Sequence, residues 1–209
     1  MTGELFLTGA AAIAPLLRTA ELADRWQEPS SLAEFRISGL AGHLARAVFN
    51  VETYLDAPVP AGVPVRDAVG YFAEGVPAVD LSAPIHRGIR ERGEEHAADG
   101  PVALADRYDA VRARLTVRLA GLPEDHPVLM FGRQVLPLDQ CLLTRLIELV
   151  VHADDLAVSL DLPTPDVGED AADLVVVTLT RIARRRHGTL PVLRALSRRE
   201  RAPVHVAAF

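Results

Sequence analysis

The segment Pro137–Leu160, PLDQCLLTRLIELVVHADDLAVSL, constrains the fold more than any other part of the chain. At helical spacing it is apolar nearly all the way round, through Leu142, Leu143, Leu146, Ile147, Leu149, Val150, Val151, Ala153, Leu156, Ala157, Val158 and Leu160. A helix of that kind belongs in the middle of a fold. A single stripe interrupts it: Arg145, Glu148, His152, Asp155 and Ser159 fall within an arc of roughly 80° at about 100° per residue.

Ionisable groups in a core must be paired, neutralised or bound to a metal, because desolvating an uncompensated charge is strongly unfavourable. Two readings follow from this helix alone. In one, Arg145 pairs with Glu148 and His152 with Asp155, each at i,i+3, as an internal network. In the other, Glu148 and His152, one turn apart on one face, direct a carboxylate oxygen and an imidazole nitrogen at a common point and need a third ligand from elsewhere.

A second apolar helix, predicted over Ser38–Tyr54, offers one. Leu40, Ala41, Leu44, Ala45, Ala47, Val48 and Val51 form its apolar surface. His43, Arg46, Asn50 and Thr53 repeat the spacing of positions 145, 148, 152 and 155. A lone histidine on such a helix usually reads as a hydrogen-bonded core residue. Two core helices with matching polar stripes favour convergence instead. Gly39 and Gly42, beside His43, allow close approach by another helix or by a ligand.

The remaining elements read as an all-α single domain over residues 1–209, an up-and-down bundle with additions. A first helix is predicted over 4–26, followed by a loop in which Ser31 and Glu34 have capping-box spacing. Pro58, Pro60 and Pro64 enforce an extended connection, and residues 65–98 read as one or two polar helices with Ser82 as an N-cap. An amphipathic helix is predicted over 101–121, then a small hairpin around Gly132-Arg133 within 128–136. Asp166 and Glu169 have capping character ahead of a helix over 167–186 stopped at Gly188, a short helix follows over 190–199, and 204–209 is extended. His86, His96, His126, His187 and His205 read as surface residues, and Arg184–Arg186 as a solvated helix end.

Composition excludes several function classes. A net charge of −6 and a pI near 5.6 argue against an electrostatic nucleic-acid binder. The single cysteine, Cys141, allows no intramolecular disulfide or CxxC motif, and its place on the apolar helix marks a structural thiol. No stretch reads as a secretory signal or a membrane span, so the cytoplasm is the expected compartment and no membrane partner is expected. Walker, GxGxxG, HExxH and GxSxG motifs are missing.

Two patterns carry a family resemblance: Ser30/Ser31-Leu32, Phe35-Arg36-Ile37, Leu40 and His43-Leu44, and then Thr144-Arg145, Glu148, His152 and Asp155-Leu156. In this order they resemble the mycothiol-dependent maleylpyruvate isomerase N-terminal domain of the DinB-like superfamily, over roughly residues 5–185. The resemblance implies a DinB-like four-helix bundle with short additional helices and minor extended segments. It implies a divalent metal, usually zinc, on His43, Glu148 and His152, the residues the stripes had already brought forward. Asp155 would orient a ligand imidazole, and Arg145 would hold Glu148 or meet an anionic group of the substrate; both are assigned catalytic roles. Arg46 and Asn50 are assigned to the cosubstrate, mycothiol or a similar low-molecular-weight thiol, which would be activated for addition to a small electrophile.

The chain departs from the family pattern at Phe35, where the family has Trp, and at Arg36, where it has Ser or Thr. Both are expected to line the pocket or its lid. The full-length isomerase also uses a C-terminal domain, and 209 residues stop short of one, so the expected reaction is thiol transfer or isomerisation on an unspecified electrophile. Two rivals share the fold: a thiol-independent metal-dependent lyase, cyclase or hydrolase, and a non-catalytic metal-stabilised regulator.

Overall fold

In the computed structural model, which describes residues 2–75, 84–203 and 205–208, the N-terminal stretch is not one helix. It divides into α1 (Thr2–Ile13), a 3-10 turn over Ala14–Arg18, and the short α2 (Ala20–Asp24). The expected continuous helix over 4–26 is broken at Pro15, which has no N–H to donate, and at Thr19, which turns extended at φ −70°, ψ 149°. The Thr19 hydroxyl accepts the Leu22 N–H and starts α2 afresh.

The other elements follow the predicted order. They are α3 (Ile37–Asp56), α4 (Ala68–Gly75), α5 (Pro84–Ala97), α6 (Pro101–Leu119), β1 (Pro127–Met130), β2 (Gln134–Pro137), α7 (Leu138–Leu160), α8 (Glu169–His187) and α9 (Thr189–Ser197). β1 and β2 pair antiparallel, Val128 opposite Leu136 and Leu129 opposite Val135. Their turn places Phe131 and Gly132 at positive φ, a conformation glycine adopts without strain. Ser82 lies outside the described residues, as do Val204 and Phe209. Ahead of α8 the N-cap is Gly168 instead of Asp166, whose Oδ1 accepts the Gly168 N–H.

Four helices, α1, α3, α6 and α7, enclose the core, with α7 packed against both α1 and α3 and with α6 closing the bundle. Phe6, Leu44, Tyr108, Leu115, Leu146 and Leu156 belong to one buried cluster, in which the Tyr108 hydroxyl donates to the Ala10 carbonyl at 3.0 Å. The all-α expectation is met. α7 is buried on most sides but not all: Val158 is 57% exposed.

Two additions brace the bundle. α5 lies along α3 so closely that a Cβ on Gly42 would sit 2.0 Å from the Gly93 carbonyl oxygen, and one on Gly93 would sit 2.4 Å from that of Gly39. The glycines of α3 therefore receive a helix, not a ligand. α8 packs on α4 and α7; Arg184 and Arg185 are exposed as expected, Arg185 bonding to Glu74, whereas Arg186 is half-buried and donates to the Phe72 carbonyl. No helix among the described residues is long and apolar enough to cross a membrane.

Candidate metal centre

α3 and α7 cross inside the bundle with their polar stripes facing one another. The Nε2 atoms of His43 and His152 are 3.1 Å apart, and Glu148 Oε2 lies 3.6 Å from the first and 3.3 Å from the second. Tetrahedral zinc with ligands at about 2.0–2.1 Å requires donor separations of about 3.4 Å, so this triangle has the right size. Two imidazoles and a carboxylate are also a suitable donor set for zinc and for other first-row divalent ions. The three side chains remain 14%, 19% and 14% exposed for His43, Glu148 and His152, so the triangle is reachable from solvent.

At neutral pH the triad holds one neutral imidazole, one carboxylate and one imidazolium that must release a proton to ligate. Burial, reinforced by the neighbouring His152, pushes the His43 imidazole down to about 4, so at neutral pH it carries an unprotonated nitrogen. Burial opposes a charge on His152 too, but hydrogen bonds to Asp155 and Glu148 outweigh it and carry that group up to about 9. Glu148 is likewise opposed by burial, and the two imidazoles with Arg145 hold it well below the usual carboxylate range. Asp155 Oδ2 accepts from His152 Nδ1 at 2.9 Å. His43 Nδ1 is buried with no hydrogen-bond partner.

Of the two pairings in the internal-network reading, only that of His152 with Asp155 forms. Arg145 makes no ion pair with Glu148; its Nε donates to the Thr144 hydroxyl at 3.1 Å, because Glu148 Oε2 is turned toward the imidazoles of two helices. Arg145 instead faces aromatic rings, Tyr71 at 5.9 Å and Phe131 at 5.7 Å from the guanidinium carbon. Arg46 is buried on α3, while Asn50 is half-buried and Thr53 is exposed at the end of the same stripe. Tyr54, Tyr71 and Phe131 were not singled out in the sequence. Tyr54 had a signal, lying eleven residues after His43 and so beside its stripe, whereas Tyr71 and Phe131 arrive from other elements and had none.

The loop before α3 docks on this end of α7. Ser31 N–H donates to Ser159 Oγ at 2.9 Å and the Ser31 hydroxyl to the Asp155 carbonyl at 3.0 Å, so Ser31 anchors the loop and does not start a helix. Glu34, its supposed capping partner, has φ 65° and bonds to Arg90 of α5. Phe35 comes to rest with its ring 5.7 Å from that of His43, as expected of a pocket-lining residue. Arg36 does not line the pocket; it is exposed and donates to Gln27. Cys141 is buried, and burial pushes its thiol up to about 12, in keeping with a structural role. His86, His96 and His126 are half-buried rather than exposed, His96 with its ring 5.5 Å from Phe49.

Comparison with known proteins agrees with the fold. The family model described as mycothiol maleylpyruvate isomerase N-terminal domain matches residues 6–157. Two solved structures share the fold, the mycothiol-dependent maleylpyruvate isomerase and a histidine-to-alanine mutant of it. Each is 19% identical with a TM-score of 0.55, over 87% of this chain and 68% of the other. A comparison with curated proteins gives no match.

Proposed function

Because the chain belongs to the mycothiol maleylpyruvate isomerase N-terminal domain family, matched over residues 6–157, we propose that it is a metal-dependent enzyme that activates a low-molecular-weight thiol, mycothiol or a close analogue, for addition to a small electrophile. One observation carries this reading: the donor atoms of His43, Glu148 and His152, from two helices, converge within 4.8 Å of one another. Three protein ligands are the arrangement of catalytic zinc sites, which keep a position open for water or substrate. A divalent metal held there, zinc by preference, would supply Lewis acidity that lowers the pKa of a thiol.

The chain's own residues prepare the site. Asp155 holds the Nδ1 proton of His152, so that the proton a metal would displace is the one on Nε2. Glu148 is ionised, and His43 is neutral. Arg145 supplies a fixed positive charge beside the triad, and Phe35 screens His43 from the loop side. Asn50, half-buried on the same stripe of α3 as His43, lies where the polar groups of the cosubstrate would meet the protein.

In the reaction, the thiolate sulfur bonds to the electrophilic carbon of an activated double bond and the π electrons move onto the activating group. Rotation about the new single bond and expulsion of the thiolate return the double bond with altered geometry. Protonation instead retains the thioether, which is thiol transfer. A thiol kept reduced is a cytoplasmic reagent, and the cytoplasm is the proposed compartment.

The test combines metal analysis with cobalt substitution. The purified protein should carry close to one divalent ion per chain, and the cobalt form should gain a sulfur-to-metal charge-transfer band on addition of mycothiol. His152→Ala should abolish both. Screening mycothiol against unsaturated acids, epoxides and quinones then finds the acceptor. Failure to take up metal would end this reading, and turnover independent of any thiol would move the protein to the thiol-free metalloenzymes.

A further inference from the structure

We propose that Arg46 of α3 and Arg145 of α7, with the hydroxyl of Tyr54, form a buried seat for a carboxylate group of the acceptor, distinct from the metal-ligating atoms. The identification of its occupant as the acceptor rests on the function proposed above; the seat itself does not.

Both arginines are withdrawn from water, Arg46 at 6% and Arg145 at 4% exposure. Nε of Arg46, Nη2 of Arg145 and the hydroxyl oxygen of Tyr54 are all buried without a hydrogen-bond partner. Such groups are normally satisfied, and buried guanidinium groups most of all. Arg145 and Tyr54 meet over Phe131, whose ring lies 5.7 Å from the guanidinium carbon of the first and 5.1 Å from the ring of the second, and Arg46 is within electrostatic reach of both.

The local charges do not balance. Glu148 is the carboxylate acting on both arginines, and its Oε2 is turned toward His43 and His152. Asp155 is engaged by His152. Arg92 adds further positive potential at Arg46, and a cation on the triad would add more. An anion is the missing component. A thiolate would bring its charge to the triad, which leaves the arginines for a different group. A carboxylate has the oxygens to accept from Arg46 Nε and Arg145 Nη2, beside the rings of Tyr71 and Phe131 that face Arg145 and of Tyr54, which packs on Phe131.

Calorimetric titration of the chelator-stripped protein, at constant ionic strength, tests the seat with crotonate, crotonamide and inorganic phosphate. Crotonate should bind about tenfold or more tightly than crotonamide, since charge-assisted hydrogen bonds are roughly twice as strong as neutral ones. Arg46→Leu should lose that preference, and Tyr54→Phe should weaken crotonate a few-fold with helical circular dichroism unchanged. Should Arg46→Leu not fold, Tyr54→Phe decides alone. The proposal is overturned by crotonate binding no better than crotonamide, by binding that needs zinc, by a preference for phosphate, or by a folded variant that binds crotonate as the wild type does. Crotonate binding by a protein that takes up no zinc keeps the seat and removes the metal reading; zinc uptake without crotonate binding does the reverse.

Discussion

Oδ2 of Asp155 lies 2.9 Å from Nδ1 of His152, one turn along α7 and on the far side of the ring from Glu148. The carboxylate holds the Nδ1 proton and orients the ring so that Nε2 meets the other two donors. His43 has no such support, since its Nδ1 is unpartnered. Asp155→Ala should therefore lower zinc affinity about 10- to 100-fold, the usual effect of removing a group that orients a ligand. Competition against a chromophoric chelator measures it, and an affinity within threefold of the wild type would show that Asp155 does not orient the ligand.

Removing a ligand should act on metal content and on stability together. His43→Ala and His152→Ala should each reduce bound zinc from near one per chain to under about a tenth. A ligand at 100 times its Kd stabilises by about 2.7 kcal/mol, and about 2–4 °C of Tm follows each kcal/mol in a chain of this size. Chelator should thus lower the wild-type Tm by about 5–10 °C and leave that of His43→Ala unmoved. Equal sensitivity in both proteins would place the metal elsewhere.

The packing of α5 on α3 makes a sharper demand. At Gly42 an added methyl would sit 2.0 Å from a backbone oxygen, and neither helix can yield locally. Gly42→Ala should destabilise by about 1–3 kcal/mol, the range for overpacking, and displace the helix bearing His43. Gly121→Ala, which meets nothing within 4 Å, should stay within about 0.5 kcal/mol of wild type. Urea midpoints at unchanged m-value decide it; equal midpoints for the two variants would contradict the close approach.

Acid should loosen the join between the 3-10 turn after α1 and α6. Asp109 is held below the ordinary aspartate value of 3.8, chiefly by its hydrogen bond to Arg18 at 2.7 Å. A carboxylate with a depressed folded-state pKa contributes stability fully above 3.8, and loses it as pH falls through the folded value. The stability difference between wild type and Asp109→Asn should be constant near neutrality, shrink below pH 3.8 and shrink further in high salt, because the pair is partly exposed. Urea midpoints across pH report it, and a difference that does not change with pH would remove Arg18–Asp109 as the cause.

The amino-acid sequence by itself determined which residues share a face. Spacing at 3.6 residues per turn is a local property, so His43 with Arg46 and Asn50, and Glu148 with His152 and Asp155, were legible as two stripes before any coordinates. The hairpin at Gly132 and the all-α class were legible for the same reason. In the first helix apolar spacing continues through Pro15 and Thr19, where the helical backbone does not, so the break is not legible from periodicity.

Tertiary structure decided how the stripes meet. The rotation and height of one helix against another depend on the packing of the whole core, which no single helix encodes. That packing set Glu148 against the imidazoles instead of Arg145, brought Tyr71 and Phe131 beside Arg145 from separate elements, and filled the space at Gly39 and Gly42 with α5. Local periodicity supplied the donors; the distances between them are a property of the assembled bundle.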